Sequence, residues 1–532
     1  MPSSNPWTGH TAVLLQRAMR LSNARFAAHL KIGLRTVADW HKKPALTQNS
    51  GFQQALDNAL QQASPAVRER FAELLTEAAG HQDTDHGDAE ASSSDALAAD
   101  AERRLTDDPH IAAALDWLDQ HAGWTPGTGR TQVIARLARV NRRELEARGH
   151  GRARVSQPGL TWALTSYYGE SPHGYRRYGA RYGPDLDAAT TVLTRPEWLD
   201  LDCPLLTDAD RLTVAGTSPA DASLDEHTAE HAVTRLAEAL ALNVRLVDMP
   251  LYRLQRENIR HRELAGQLGV DRFAHYALTM DLLEAELIDT LAADRPALPG
   301  SLPLRDQYLP DFSTVLDVAD RLCAGGALAL CAIARPARAY RGPADYVLLI
   351  QERSGHVLNA ARTLSVIPKG FHQPITDYRT DAQIGATLLR ETEEELLGRN
   401  DLDNTQGVER RADPMHPAHS SDPMRWLTET GALHMECTGF GLNLVSGNYE
   451  FACLIVIDDE QFWQHYGGVI ETNWEASGLR QYSSLDRVLL TDLAADKAWS
   501  NEGLFAFLQG LRRLARIGGN RVDLPEIEWE LW

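Results

Sequence analysis

The chain has 532 residues, 43% hydrophobic and 24% charged, the composition of a folded globular protein, which disfavours wholesale disorder, collagen-like repeats and a disulfide scaffold. At roughly 100 to 200 residues per domain, the length predicts three or four domains. The formal charge of −20 argues against a protein coated in nucleic acid, but residues 1–75 hold nine bases and four acids, a net of +5, so the remainder carries −25.

The longest strongly apolar run, 325–334 (GGALALCAIA), is far shorter than the about 20 residues of a membrane span, and the first residues lack a charged start followed by an apolar stretch. The expected location is the cytoplasm, with no membrane partner. Five cysteines without C-x-x-C spacing predict buried, reduced thiols. Only five basic residues are lysines, as in a GC-rich genome, and three of them, Lys31, Lys42 and Lys43, lie close together.

Residues 11–43 read TAVLLQRAMRLSNARFAAHLKIGLRTVADWHKK. Ser22 is positioned to cap a helix through Leu30, Lys31 to Gly33 make a turn, and Leu34 to about His41 form a second helix buried through Val37 and Trp40. Residues 76–102 hold eight acids, no Lys or Arg and few large apolar side chains, which predicts a flexible acidic tether. Beyond Asp108, IAAALDWLDQHAGW, TQVIARLARVNRRELEARG and LTWALTSYYG repeat apolar residues at three- and four-residue intervals, as do HAVTRLAEALALNV and YALTMDLLEAELIDTLA. A helical middle domain that packs or dimerises follows from that period. Its eight arginines between Arg130 and Arg154 are either a polyanion-contacting surface or a solvated helix face.

After Arg295 the pattern turns to strands: GALALCAIA, YVLLIQE, TLSVIP, ALHMECTGFGLNLV and YEFACLIVI. One helix interrupts them at about Asp381–Leu397 and another closes the chain near Gly503–Ile517. In the first, Thr380 with Gln383 has capping-box spacing, and Ile384, Leu388, Thr392 and Leu396 form an apolar stripe. At 100° per residue Glu391, Glu394 and Glu395 project together and Glu393 points away. Like charges on one helix side repel, and an oxygen-liganded divalent cation, Mg2+ or Mn2+, relieves this; a solvated acidic face is the alternative. Lys369 and His372 fall nearby in PKGFHQP, where a cation suits a substrate phosphate. His416 and His419 read as loop residues.

The run FAAHLKIGLRTVADW resembles the XRE (lambda repressor and Cro) helix-turn-helix family, over about residues 11–63, with Lys31 and Gly33 departing from the usual turn residues. The resemblance implies that Leu34, Arg35, Thr36 and Asp39 face base edges in the major groove and that Lys42 and Lys43 meet the backbone of double-stranded DNA, as a homodimer on a two-fold operator. The stretch 390–395 (RETEEE) looks like the R-E-x-x-E-E core of the Nudix box, over about residues 310–520. That likeness implies metal held by Glu391, Glu394 and Glu395, the catalytic glutamates of an active member, and a pyrophosphate-containing ligand met by Lys369 and Arg390. The family's earlier glutamate falls at Ala382, and Gly370 lies 20 residues before Arg390, more than the usual box allows.

The expectation is therefore multidomain: an all-α helix-turn-helix head (1–75), an acidic linker (76–104), an α-helical middle domain (105–293) and an α/β Nudix-like effector domain (294–532). The expected function is that of a DNA-binding transcriptional regulator, of actinobacterial type, sensing a nucleotide-like small molecule. A Mg-dependent Nudix hydrolase with an accessory head and a protein-interaction scaffold are the alternatives.

Overall fold

The computed structural model describes residues 7–19, 23–30, scattered positions from 36 to 71, 99–182, 186–216, 220, 222–244, 246–353, 363–397, 420–468, 470 and 476–532. The chain divides into two compact units, Met1–Leu97 and Ala98–Trp532.

In the first unit, α1 (Gly9–Met19) and α2 (Asn23–Leu30) present one apolar face each. Their buried side chains, among them Leu15, Phe26, Ala27 and Leu30, share a core with Val37, Trp40, Leu56 and Phe71. Trp40 meets Phe26 edge-on, with ring centroids 6.3 Å apart. Of the expected DNA-facing residues only Thr36 lies among the described ones, half-buried in a helical turn; Leu34, Arg35, Asp39, Lys42 and Lys43 lie outside them, as do Ser22, the turn at 31–33, His416 and His419.

The expected tether, 76–104, lies largely outside the described residues, but its end is helical: residues 99–107 form helix, and Ala101 and Leu105, four apart, are buried in the core that holds Ile111 and Leu118. Helices follow where the 3.6-residue period placed them: α3 (Pro109–His121), α4 (Thr128–Leu137), α5 (Arg142–Arg152), α6 (Gln157–Tyr168), α7 (Glu226–Ala241) and α8 (Met280–Ala292). Asp108, Asn141, Ser156 and Asp225 cap α3, α5, α6 and α7 through side-chain oxygens.

The middle segment is not all helical. It holds β1 (Arg176–Tyr182), β2 (Asp187–Thr194), β3 (Leu199–Pro204), β4 (Asp210–Val214), β5 (Pro250–Arg260) and β6 (Glu263–Arg272). The local reasons are visible afterwards: β2 is rich in Thr and Val, and β3 alternates buried and half-buried residues.

No boundary falls at 293/294 either. The strands β7 (Gly325–Arg335), β8 (Asp345–Arg353), β9 (Leu364–Val366), β10 (Lys369–Phe371), β11 (Leu433–Asn443), β12 (Tyr449–Ile457), β13 (Ala476–Ser483) and β14 (Ile527–Leu531) join β1, β2 and β3 in one eleven-stranded sheet. Its order is β13-β8-β7-β12-β11-β2-β1-β14, with β9 on β8, β10 on β7 and β3 on β11, while β4-β6-β5 form a separate three-stranded sheet.

β7 and β12 run parallel in unbroken register from Gly325 opposite Tyr449 to Ile333 opposite Ile457. Both are buried along their whole length, as expected of nearly continuous apolar runs covered on two faces, with Arg335 and Glu450 the charged exceptions. On one face lie Leu328, Leu330, Ala452 and Leu454, packed by α10 (Asn501–Ile517) through Phe505, Leu508 and Leu511. On the other, Ala327, Ala329, Phe451 and Cys453 pack against Ile384, Leu388 and Leu396. The unit is thus an α/β body with helices on both faces of a mixed sheet. A Cβ at Gly510 would stand 2.8 Å from that of Leu330, so glycine lets α10 approach the sheet closely. All five cysteines are free and buried.

Candidate functional site

The acidic helix begins at Ile384. α9 (Ile384–Glu391) continues as a π-helical turn, Thr392–Leu396. The expected capping box is not used: Gln383 makes no side-chain cap. Instead the buried carboxylate of Asp210, from β4, accepts the backbone N–H groups of Ile384 and Gly385 at 3.2 and 2.8 Å. Burial pushes the Asp210 carboxyl up to about 6, against the opposing pull of those two N–H donors.

The four glutamates do not form a solvated face. Relative exposures are 8% for Glu391, 0% for Glu393, 5% for Glu394 and 1% for Glu395. Glu393, expected to point away from the other three, is also buried and meets a different partner, the backbone N–H of Ser421, which it accepts at 3.0 Å. Arg390, adjacent in sequence to Glu391, donates to that carboxylate at 2.8 Å and also reaches the carbonyl oxygens of Phe371 and Gln373. It therefore clasps the helix to β10 and the segment after it. Glu395 accepts the Lys369 backbone N–H at 2.7 Å. A Cβ added to Gly370 would stand 2.0 Å from Glu391 Oε1, so only glycine fits where β10 crosses the helix.

Lys369 faces the other side of the sheet. Its ammonium lies 2.6 Å from Glu502 Oε1, in the first turn of α10. Asn443 bridges Glu502 and Glu450 through its amide nitrogen, at 3.2 and 3.4 Å. Burial works against a charge on Glu502, but the Lys369 ammonium and local hydrogen bonds hold its carboxyl below the usual range. Burial and the Glu502 charge push Glu450 up to about 8. One ammonium sits between two buried carboxyls, and the geometry assigns it to Glu502.

His372 is a core residue. Its Nε2 donates to the Ala382 carbonyl at 3.0 Å and its Nδ1 accepts from the Tyr449 hydroxyl at 2.9 Å, since a carbonyl can only accept. Burial lowers it to about 3, so it stays neutral. Asp381 accepts three backbone N–H groups, from Ile375, Thr376 and Asp377, and shapes that loop. Of the basic stretch at 130–154, Arg148 pairs with Glu238, Arg152 with Asp289, and Arg130 donates to Leu105 O and Thr106 Oγ1, so these three are tied into the helical layer.

The structure thus gathers Lys369, Arg390, Glu391 and Glu395 around β10, with Glu394 buried on the same turn. Asp210, Asn443, Glu450 and Glu502 complete the polar surroundings and were not anticipated. The closing helix, expected near Gly503–Ile517, starts earlier at Asn501, where Ser500 caps it, and so brings Glu502 into its first turn. The oxygen donors suit Mg2+ or Mn2+ in kind, but among the described residues no three His, Cys, Asp or Glu side chains come together as a metal-holding group. Among them, too, no helix is long and apolar enough to cross a membrane. No protein-family model and no curated protein matches the chain.

Proposed function

We propose that the protein is a DNA-binding regulator whose α/β unit binds an anionic, nucleotide-like small molecule without turning it over. The observation that favours this reading over a hydrolase is the use made of the glutamate helix: Arg390 holds Glu391, and the Lys369 backbone holds Glu395. Carboxylates engaged in fixing β10 and α9 are less available to a metal, which favours binding without turnover over a metal-loaded hydrolase. The resemblance of 390–395 to a Nudix box, with the substitution at Ala382, points the same way.

DNA binding rests on the helix-turn-helix pattern of residues 11–43, on the net charge of +5 over residues 1–75, and on a buried core that includes Val37 and Trp40 as that pattern requires. A single head neutralises few phosphates, so specific binding calls for a homodimer on a two-fold operator. A ligand regulates such a dimer only by favouring one of two arrangements of it.

The test is selection of duplex DNA by the intact protein at stated salt, with and without nucleotides and Mg2+. A two-fold motif whose recovery changes with nucleotide supports the reading. Mg2+-dependent release of phosphate or nucleoside monophosphate, abolished by Glu394→Gln, favours the hydrolase instead, and recovery of no recurrent sequence favours a scaffold.

A further inference from the structure

A cavity of about 770 Å³ opens in the helical layer between α4, α5, α7 and α8. Its volume falls within the roughly 300–1,000 Å³ of small-molecule sites. Six arginines and two histidines line it against four carboxylates, and four of those arginines come from the basic stretch at 130–154.

Three of the arginines have carboxylate partners. Arg148 meets Glu238 at 2.5 Å, Arg152 meets Asp289 at 2.5 Å, and Arg235 pairs with the buried Asp281. Arg152 also feels the charges of Glu238 and Asp281, so the three pairs form one network and make a fixed wall. A third carboxylate of the lining, Glu286, is occupied by the backbone N–H groups of Leu304 and Arg305, at 2.9 and 3.0 Å.

The other cations are differently placed. Arg136 and Arg139, at the end of α4, and Arg295, just after α8, are exposed, and among the described residues no carboxylate pairs with any of them. On α7, one turn apart, the rings of His227 and His231 meet edge-on with centroids 4.6 Å apart. Burial first, then His227 and the Arg136 guanidinium, hold His231 below its ordinary value, against the pull of Glu230 and Glu238. Cationic and imidazole groups of α4 and α7 therefore stand close together, beside the wall that Glu238 belongs to.

Cations gathered without counter-ions repel one another, and an anion of several charges removes that cost. Guanidinium forks match phosphate oxygens in pairs. Because these groups line a hollow and not a ridge, one small molecule reaches several of them at once, whereas a duplex carries its phosphates on a convex surface.

We infer that this cavity binds the phosphate chain of a small polyphosphate, that of a nucleoside triphosphate or inorganic tripolyphosphate. Arg136, Arg139 and Arg295 grip the phosphates, His227 and His231 each offer an N–H from α7, and the paired arginines keep the wall in place. The nucleotide form of the inference rests on the proposed sensing role, and it places that ligand's phosphates in the helical layer, away from the glutamate helix.

Calorimetric titration of the full chain at low and high salt with ATP, GTP, AMP, adenosine and inorganic tripolyphosphate tests it. Triphosphates are expected to bind at least about tenfold more tightly than AMP, and more weakly at high salt. Arg136→Ala and Arg139→Ala, at exposed positions, should each weaken the triphosphates about tenfold, the loss of one charged hydrogen bond. Arg154→Ala removes an equal charge from the same basic stretch at an exposed position outside the cavity, and should leave the affinity unchanged.

If nucleotides bind but Arg136→Ala and Arg139→Ala bind them as the unaltered protein does, or Arg154→Ala weakens them equally, the site is wrong while the sensing role stands, and Lys369→Met or Glu394→Gln then locates the ligand. If tripolyphosphate binds through Arg136 and Arg139 and no nucleotide does, the site stands and nucleotide sensing fails. If the two arginines matter for a random duplex, by fluorescence anisotropy, and not for the polyphosphates, the stretch contacts nucleic acid and the inference falls. If neither tripolyphosphate nor any nucleotide binds at millimolar concentration, both fail.

Discussion

Lys369 Nζ and Glu502 Oε1 lie 2.6 Å apart across 133 positions of sequence, joining β10 to the first turn of α10 inside the α/β unit. The pair is largely buried, with 19% of the lysine side chain and 8% of the glutamate exposed. Loss of one partner leaves the other charge in a poor solvent, whereas loss of both is far less costly. Lys369→Met should therefore destabilise the unit by about 3–5 kcal/mol, and the Lys369→Met, Glu502→Gln double variant should recover most of that. Chemical denaturation of the three proteins decides it; a double variant as unstable as the single one contradicts the pairing.

Glu450 makes the stability of the unit depend on pH. Its folded value, about 8, lies above the ordinary 4.5, so the folded state binds a proton that the unfolded chain gives up. Between those values stability falls as pH rises, and its full contribution is present below about 4.5. Asp210, raised from 3.8 to about 6, adds a slope of the same sign over its own window. Glu450→Gln should flatten the Glu450 part and stabilise the protein at pH 8 by on the order of a few kcal/mol. Melting temperatures from pH 5 to 8 measure the difference, and parallel curves for the two proteins refute it.

Asp210 anchors the start of α9 from β4, 174 positions before Ile384. Asp210→Ala removes the acceptor for two buried N–H groups and should cost about 1–3 kcal/mol. Asp210→Asn keeps an oxygen for them and should cost less. Equal losses in the two variants, by denaturation at pH 7, count against the capping role.

Gly370→Ala places a methyl group where Glu391 Oε1 already stands, at 2.0 Å. Either β10 or the Arg390–Glu391 clasp must shift, at a cost of about 1–3 kcal/mol. An unchanged melting temperature is inconsistent with this close approach.

For the head, Arg35→Ala should weaken binding to the selected operator by about 1–3 kcal/mol and relax preference at one base pair, as loss of a bidentate guanine contact does. Lys42→Ala should weaken all duplexes alike and lower the salt dependence. Fluorescence anisotropy on operator and scrambled duplexes separates the two. A uniform effect of Arg35→Ala contradicts a base-reading role.

Much of the α/β body was legible locally. β7 is apolar up to Arg335 and β12 is apolar but for Glu450, and burial on both faces follows from that pattern. The stripe of Ile384, Leu388 and Leu396 announced a helix packed on a sheet, and all three are buried there. The six helices from α3 to α8 follow from a 3.6-residue period, which is a property of neighbours along the chain.

What escaped was non-local. β1, β2 and β3 enter the large sheet through β11, as in the pairing of Cys203 with Cys437, so the expected helical domain and the boundary at 293/294 dissolve into one unit. The acidic composition of 391–395 was plain in the sequence, but whether those carboxylates face water, a metal or the protein depends on Arg390, Lys369 and Ser421 arriving beside them. Periodicity reports which face of an element is apolar. Only the folded arrangement decides which distant N–H or ammonium meets each buried charge, because a carboxylate's energy is set by its spatial neighbours and not by its position in the chain.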